Sequence, residues 1–332
     1  MRRWASVQPG AFGTRRKAAM APRVIEIDPP APSPRSAVYG MPPLDLVDVP
    51  DGARQVSPLH PGADALEALP DATLAEIVIA APPGSIERRF VLAQALRALE
   101  PGGALTALGA KDKGGQRLRA ELEAFGCDVA ERSKARQRIC VATRPAAPTG
   151  LAEAIREGAP AMVEEIGLRS QPGVFSWNRV DPGSALLLAH LPAFAGRGAD
   201  LGAGLGILSR AVLASSKVEE LTLVELDRRA VEASRQNVDD PRARFLWADA
   251  REAALAALDF VVSNPPFHAE GIEDRGLGQS FITAAARMLR RSGTLLLVAN
   301  RHMPYEAVLR SAFRSVDVTA EAAGYKIFEA RK

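Results

Sequence analysis

Asn264-Pro265-Pro266-Phe267 is the segment of this chain best suited to chemistry. It follows the apolar run Phe260 to Ser263, where an α/β sheet presents its ligands, just past the carboxyl end of a strand. An exocyclic amine on a base or an amide is a poor nucleophile, because its lone pair is delocalised into the attached π system. Two acceptors suit the two N–H groups of such an amine: the side-chain oxygen of Asn264 and the carbonyl oxygen of Pro265, held by the stiff diproline. Together they turn the lone pair towards an electrophile. Phe267 is expected to stack on the planar substrate, as aromatic side chains do with an unstacked base. The competing reading is a proline turn after a strand with Phe267 in the core, because a short motif is only as good as its context.

That context lies about 60 residues upstream. Asp200-Leu-Gly202-Ala-Gly204-Leu-Gly206 stands between a short apolar strand and a helix, where glycines permit a tight turn and a close backbone approach to a ligand. Glu225 lies 19 residues past Gly206 and ends the next strand, where a carboxylate accepts hydrogen bonds from both hydroxyls of a ribose. Asp249, at the end of the third strand, sits where an adenine amino group can be bound. A dinucleotide site uses Gly-x-Gly-x-x-Gly and the same acid, and glycine-rich turns also arise simply to pack a helix on a strand. Gly-x-Gly-x-Gly preceded by Asp200 points instead to S-adenosylmethionine, a cation that needs no pyrophosphate cradle. Asn264 to Phe267 would then hold an amine for in-line attack on the sulfonium methyl, with proximity supplying much of the rate.

Positioning these groups requires an alternating α/β pattern, and the sequence supplies it twice. Strands are expected near Ala199 to Leu201, Leu221 to Glu225, Ala243 to Ala248 and Phe260 to Ser263, with helices at Ile207 to Ala214 and Arg229 to Asn237. Helix Ser280 to Leu289, strand Thr294 to Val298 and an antiparallel pair, Ser315 to Ala320 and Tyr325 to Glu329, complete a doubly wound, mostly parallel sheet with an antiparallel C-terminal strand. Upstream, strand Ile77 to Ala81, helix Ser85 to Leu99, strand Ala104 to Gly109, helix Gln116 to Phe125 and strand Arg138 to Thr143 make a smaller α/β unit. Pro145-Ala-Ala-Pro148 reads as a linker. Leu74 to Pro83 aligns without a gap on Ala257 to Pro266, which sets Ala81 opposite Asn264, and Gly103 and Leu105 then fall on Gly293 and Leu295. Two tandem Rossmann-like domains are expected, the first degenerate: 41–148 without the glycine motif or the asparagine, and 149–332 catalytic.

At 332 residues the chain is long enough for two domains, and 47% hydrophobic with 24% charged residues suits a globular protein. No apolar run approaches the roughly 20 residues that cross a bilayer. Two cysteines, Cys127 and Cys140, without Cys-x-x-Cys spacing suit a reducing compartment, so a cytoplasmic address is expected. The net charge of +3 is uneven: residues 1 to 23 hold six basic and no acidic side chains, and residues 21 to 62 are rich in proline. Residues 1–40 are therefore read as a disordered basic arm, although an Arg-rich, acid-poor start also resembles a transit peptide.

The second half resembles the ribosomal RNA small-subunit methyltransferase C family and its large-subunit relatives, which methylate guanine N2. The residues that carry the resemblance are Pro172-Gly-Val-Phe-Ser176, Asp181-Pro-Gly-Ser184, Leu186-Leu-Leu188, Asp200 to Gly206, Asn264 to His268, Val298-Ala-Asn300 and Pro304-Tyr305. Glu225 stands where close relatives carry aspartate, with the same two acceptor oxygens. The resemblance implies that Phe175, Ser176 and Ser184 approach the methionine end of the cofactor and that Asn264 to Phe267 hold the guanine amine. It also implies that ribosomal RNA, or the small ribosomal subunit, is the partner. Methylation of a protein glutamine amide or of adenine N6 is the alternative chemistry for an Asn-Pro-Pro-aromatic motif. A non-catalytic RNA-binding or assembly protein is the alternative from another class.

Weaker candidates complete the set. Arg132, Lys134, Arg136 and Arg138 have period two, so on one extended segment they would share a face that grips RNA phosphates or merely keeps a strand edge soluble. His268 is set against the base or its phosphate, and Tyr305 and Lys326 on the substrate side, each with a purely structural alternative. The four histidines are scattered without ligand spacing, so no metal is expected, and the protein is read as a monomer.

Overall fold

A computed structural model of the chain describes residues 35–266, 268, 269, 272, 273 and 275–332, and of residues 268, 269, 272, 273 and 275 only the backbone. The basic arm up to residue 34 and Phe267 lie outside the described residues. The chain order is β1 (Ser36–Tyr39), β2 (Arg54–Gln55), β3 (Leu74–Ala80), α1 (Ser85–Ala98), β4 (Leu99–Ala110), α2 (Leu118–Ala124), β5 (Asp128–Lys134), β6 (Gln137–Thr143) and α3 (Leu151–Gly158). There follow β7 (Ala161–Val163), β8 (Leu168–Ser170), α4 (Pro182–Ala189), β9 (Gly196–Leu201), α5 (Ile207–Leu213), β10 (Val218–Glu225), α6 (Arg228–Asn237), β11 (Ala243–Trp247) and β12 (Leu258–Ser263). The short pair β13 (His268–Ala269) and β14 (Ile272–Glu273), then α7 (Arg275–Met288), β15 (Leu289–Asn300), α8 (Glu306–Ala312), β16 (Ser315–Ala322) and β17 (Tyr325–Arg331) complete it.

Among the described residues there are two large sheets, ordered β2-β1-β3-β4-β6-β5 and β11-β10-β9-β12-β15-β17-β16, and two short antiparallel pairs, β7-β8 and β13-β14. In the first, β2, β1, β3 and β4 run parallel while β6 opposes β4 and β5 opposes β6. In the second, the five strands from β11 to β15 run parallel and β17 is antiparallel to both β15 and β16. This is the doubly wound architecture that the alternation implies, with the closing hairpin in its expected place. No described helix is long and apolar enough to cross a membrane.

The register demonstrates the duplication and corrects its alignment. In the first sheet Ile77 lies between Ala37 and Leu105; in the second Val261 lies between Ala199 and Leu295. Ile77 packs in the core under α1 and Val261 in the core under α7, so both face the helix that follows. Counting onwards from these matched positions, Ala80 rather than Ala81 takes the place of Asn264, and Val38 that of Asp200. The gap-free alignment is wrong by one residue, which in a strand turns every side chain to the opposite face. A shared bulge locks the match: β3 pairs Leu74 with Leu99 and then Glu76 with Ala104, and β12 pairs Leu258 with Leu289 and then Phe260 with Thr294.

Two boundaries also change. Residues 36–39, assigned from sequence to the arm, form β1 inside the first sheet, with Ala37 and Tyr39 in the core. Four residues between proline-rich segments are too few to show a period. Beyond the linker, α3 lies on the catalytic side of the boundary drawn at 148, yet it packs Ala154, Leu151 and Ile155 into the core of the first half. Leu151, Ala154 and Ile155 recur at i, i+3 and i+4, the spacing of one helix face.

Candidate functional site

The carboxyl ends of β9, β10 and β12 lie side by side, because β9 is flanked by both of the others. The glycine loop leaves β9 with Gly202 and Ala203 donating their N–H groups to the carbonyl of Val224 at 2.9 and 3.2 Å. Gly204 has φ +52°, and a Cβ there would meet nothing within 4 Å, so this backbone borders open space. Gly206 has φ +81° and a Cβ there would stand 2.6 Å from Val238, so its glycine lets α5 start close to α6.

Glu225 bridges loop and strand: Gly204 N–H donates to Oε2 at 2.8 Å and Asp227 N–H to Oε1 at 2.9 Å. Burial raises its pKa, and these backbone donors act against the rise. Each carboxylate oxygen keeps a lone pair for a ribose hydroxyl. Asp200 is fully buried at the end of β9 and accepts from the Ser209 hydroxyl on Oδ2 at 2.7 Å, while its Oδ1 has no partner among the described residues. A buried acceptor left unsatisfied beside a ligand loop calls for a donor from the ligand. The loop, Glu225 and the orphan oxygen thus fit a cationic nucleoside bearing an amino group. Asp249 is different. Its carboxylate is forked by Arg251, with the Arg251 N–H at 2.8 Å and Nε at 2.9 Å, which lowers its pKa. An adenine contact at this position must share the carboxylate with Arg251.

Burial pushes the Asp200 carboxyl up to about 7, with the Ser209 hydrogen bond opposing it. A folded-state pKa above the unfolded value stabilises the fold fully below the unfolded pKa, and the benefit is lost as pH rises through the folded pKa. Relative to Asp200→Asn, the melting temperature of the ligand-free protein is therefore expected to fall between pH 3.8 and about 7 and to level off above. Parallel melting curves of the two proteins across that range would exclude the assignment.

Asn264 is held by two acceptors. Its Nδ2 donates to Asp181 Oδ2 at 2.9 Å and to Ser184 Oγ at 2.8 Å. A carboxylate accepts only, so the amide nitrogen must face Asp181 and Oδ1 is turned away, free to accept from an incoming amine. Asp181 is at the same time the N-cap of α4, accepting from Ser184 N–H at 2.9 Å, with Pro182 at the first helical position. The motif lies over the glycine loop, since a Cβ on Gly202 would stand 3.9 Å from Asn264 O and 4.0 Å from Pro266 Cδ. Pro265 is buried and Pro266 exposed. Asp181 was not singled out from sequence as a site residue, although Asp-Pro ahead of an apolar run is a readable helix start. In the first half the matching corner is closed: Arg88, 1% exposed, donates to the carbonyls of Pro82 and Pro83 at 3.1 and 2.8 Å and clasps Glu121 with two bonds of 2.7 Å.

Phe175 and Ser176 follow Val174, which packs with Leu205 of the glycine loop and so brings their segment to the cofactor side. Phe175 is 61% exposed, and the Ser176 hydroxyl is engaged in its own turn, donating to the Arg179 carbonyl at 2.9 Å. Two sequence candidates are corrected. Tyr305 is 1% exposed in the core against Gly278, where a Cβ would collide with its hydroxyl. Lys326 turns from the site, pairs with Glu306 and lies 5.1 Å over the Phe328 ring. Its neighbour Tyr325, unremarked in the sequence, faces the other way against Gly183, within the Asp181–Ser184 segment; burial and the Asp181 carboxylate raise its pKa.

The basic stripe also dissolves, because β5 ends at Lys134 and a turn with Ala135 at φ +46° and Arg136 at φ +62° reverses the chain. Arg132 and Lys134 donate to the carbonyls of Leu46 and Asp45 at 2.6 and 3.0 Å. Arg138, on the opposite face of β6, reaches Glu131 and the Ser133 hydroxyl. The turn consumes two residues, so the period of two does not carry through. Phe267 and the side chain of His268 lie outside the described residues.

A family model described as "Methyltransferase small domain" matches residues 165–329. The chain is similar to the ribosomal RNA small subunit methyltransferase C of Pseudomonas paraeruginosa, 34% identical over 257 residues that span 75% of this chain and 77% of the relative. That of Pseudomonas entomophila is 31% identical with the same coverage. Among solved structures, the T. thermophilus 16S rRNA N2 G1207 methyltransferase in complex with AdoMet and guanosine matches with a TM-score of 0.71 at 26% identity, covering 90% of this chain and 88% of that one.

Proposed function

The chain belongs to the ribosomal RNA small subunit methyltransferase C family, and from that premise we propose how its residues methylate the exocyclic N2 amine of a guanine in 16S ribosomal RNA with S-adenosylmethionine. The single observation that carries the reading is the orientation of Asn264: Asp181 and Ser184 occupy its amide nitrogen and leave Oδ1 for the amine, over the loop shared with Asp200 and Glu225. Adenine N6 and protein glutamine amides, the alternative substrates, lack the support of a guanosine-bound relative.

Glu225 takes the ribose hydroxyls, and the Asp200 Oδ1 accepts from the cofactor's amino group. Phe175, Ser176 and Ser184 border the methionine end. Bound S-adenosylmethionine supplies the electrophilic methyl. Asn264 Oδ1 and the Pro265 carbonyl accept from the two N–H groups of the guanine amine, which pulls its lone pair out of conjugation and aims it at the methyl. Pro266 stiffens the turn, and Phe267 stacks on the base, which must be single-stranded or flipped to enter. No dedicated base is needed before attack: the aminium formed on transfer is acidic enough to give its proton to water. The protein acts without a metal, as a cytoplasmic monomer. The first half, with its corner closed by Arg88, serves RNA binding rather than methyl transfer.

Incubation of the protein with 16S ribosomal RNA or small ribosomal subunits and labelled S-adenosylmethionine, followed by mass mapping, is expected to place one added methyl on a guanine N2. Label found on adenine N6 or on a protein glutamine, or no transfer while the cofactor binds, would overturn the substrate assignment.

A further inference from the structure

The β10–α6 turn that carries Glu225 is held from the other half of the molecule. Asp227 N–H donates to Glu225, and the Asp227 carboxylate is clasped by Arg229, Nε to Oδ1 at 3.0 Å and Nη2 to Oδ2 at 2.8 Å. The third arm of the same guanidinium, Nη1, donates to Glu87 Oε1 at 2.7 Å, and Glu87 belongs to the first turn of α1, in the degenerate half. Arg229 and Asp227 are 6% and 8% exposed. The segment leading to Phe175 rests on the same pair: Gly173 has φ +104°, and a Cβ there would stand 2.3 Å from Glu87 Cδ and 2.7 Å from Arg229 Nη1. A rigid planar fork satisfied on both sides fixes its partners more firmly than a point charge does.

We propose that Glu87 is a positioning residue for the cofactor, acting through Arg229 and Asp227 on the ribose-binding carboxylate Glu225 and through Gly173 on the loop of Phe175. The degenerate half thereby takes part in cofactor binding without touching the cofactor. The chain of contacts is continuous and mostly out of water, so loss of charge at one end is felt at the other. The inference rests on the assignment of Glu225 to the ribose, and the test separates the two.

The neighbouring pair supplies the control. Arg228 also reaches the first half, through Glu67 at 3.2 Å and the Pro58 carbonyl at 3.0 Å, but makes no hydrogen bond to Asp227 among the described residues. Glu87→Gln, Glu67→Gln and Glu225→Ala are compared by calorimetric titration with S-adenosylhomocysteine, with melting temperatures and steady-state kinetics alongside. Glu87→Gln is expected to weaken binding about fivefold or more and to raise the cofactor KM with little change in kcat, a coupling of ordinary size. Glu67→Gln is expected to lower the melting temperature and leave the affinity intact. If Glu87→Gln binds like the unaltered protein while Glu225→Ala has lost affinity, the proposal is overturned and the ribose assignment stands. Unchanged binding by Glu225→Ala overturns that assignment and the proposal together. A lower melting temperature in both glutamine variants with no change of affinity in either marks the pair as merely structural and overturns the proposal.

Discussion

Replacing Asn264 by alanine is expected to lower kcat by about 10²- to 10³-fold, the loss seen when one group of a preorganised electrostatic site is removed, which corresponds to about 3–4 kcal/mol of barrier. In the proposed mechanism Oδ1 is the acceptor that organises the amine for attack, and Asp181 and Ser184, which hold the amide nitrogen, do not replace it. The cofactor should still bind, because Asp200, the glycine loop and Glu225 are untouched. Single-turnover methylation with titration of S-adenosylhomocysteine checks both halves of the statement. Turnover within about tenfold of the unaltered protein would remove Asn264 from the mechanism, since the organising effect leaves a larger signature.

Asp181→Ala is expected to reduce kcat by about 10- to 100-fold through Asn264, because the amide then keeps only Ser184 as a partner and samples orientations in which nitrogen faces the amine. The helix cap is lost in the same variant, at about 1 kcal/mol of stability. The two effects separate in a double-mutant cycle. With Asn264 already alanine, removal of Asp181 should cost stability as before but have little further effect on kcat, since groups acting as a unit are not additive. Fully additive losses in kcat would mean that Asp181 acts on the substrate directly.

These two predictions draw on different sources. Asn264 was readable because its neighbours in sequence are its neighbours in space: an apolar strand, then a diproline, with the glycine motif on a companion strand. Asp200 to Gly206 and Glu225 come together as expected for the same reason, since a parallel βαβ unit fixes how far one strand end lies from the next along the chain. Asp181 reaches Asn264 across 83 residues, and Glu87 reaches Arg229 across 142. No local pattern records such contacts. The same holds for residues that do not take their expected places: Tyr325 rather than Lys326 faces Gly183 in the Asp181–Ser184 segment, and the basic stripe is broken by a turn.

The order of types along the chain therefore determined by itself the fold class, the duplication and which acceptors and carboxylates lie at neighbouring strand ends, because strand and helix periods and turn residues are short-range properties. Tertiary structure alone decided which residue stands opposite Asn264 in the degenerate half. It alone turned the Asn264 amide nitrogen towards Asp181, and it tied the turn that carries Glu225 to Glu87. Each of these depends on register or on a hydrogen bond between distant segments. A one-residue slip leaves the hydrophobic content of a strand unchanged while reversing the face of every side chain, so only the packed sheet can choose between the two.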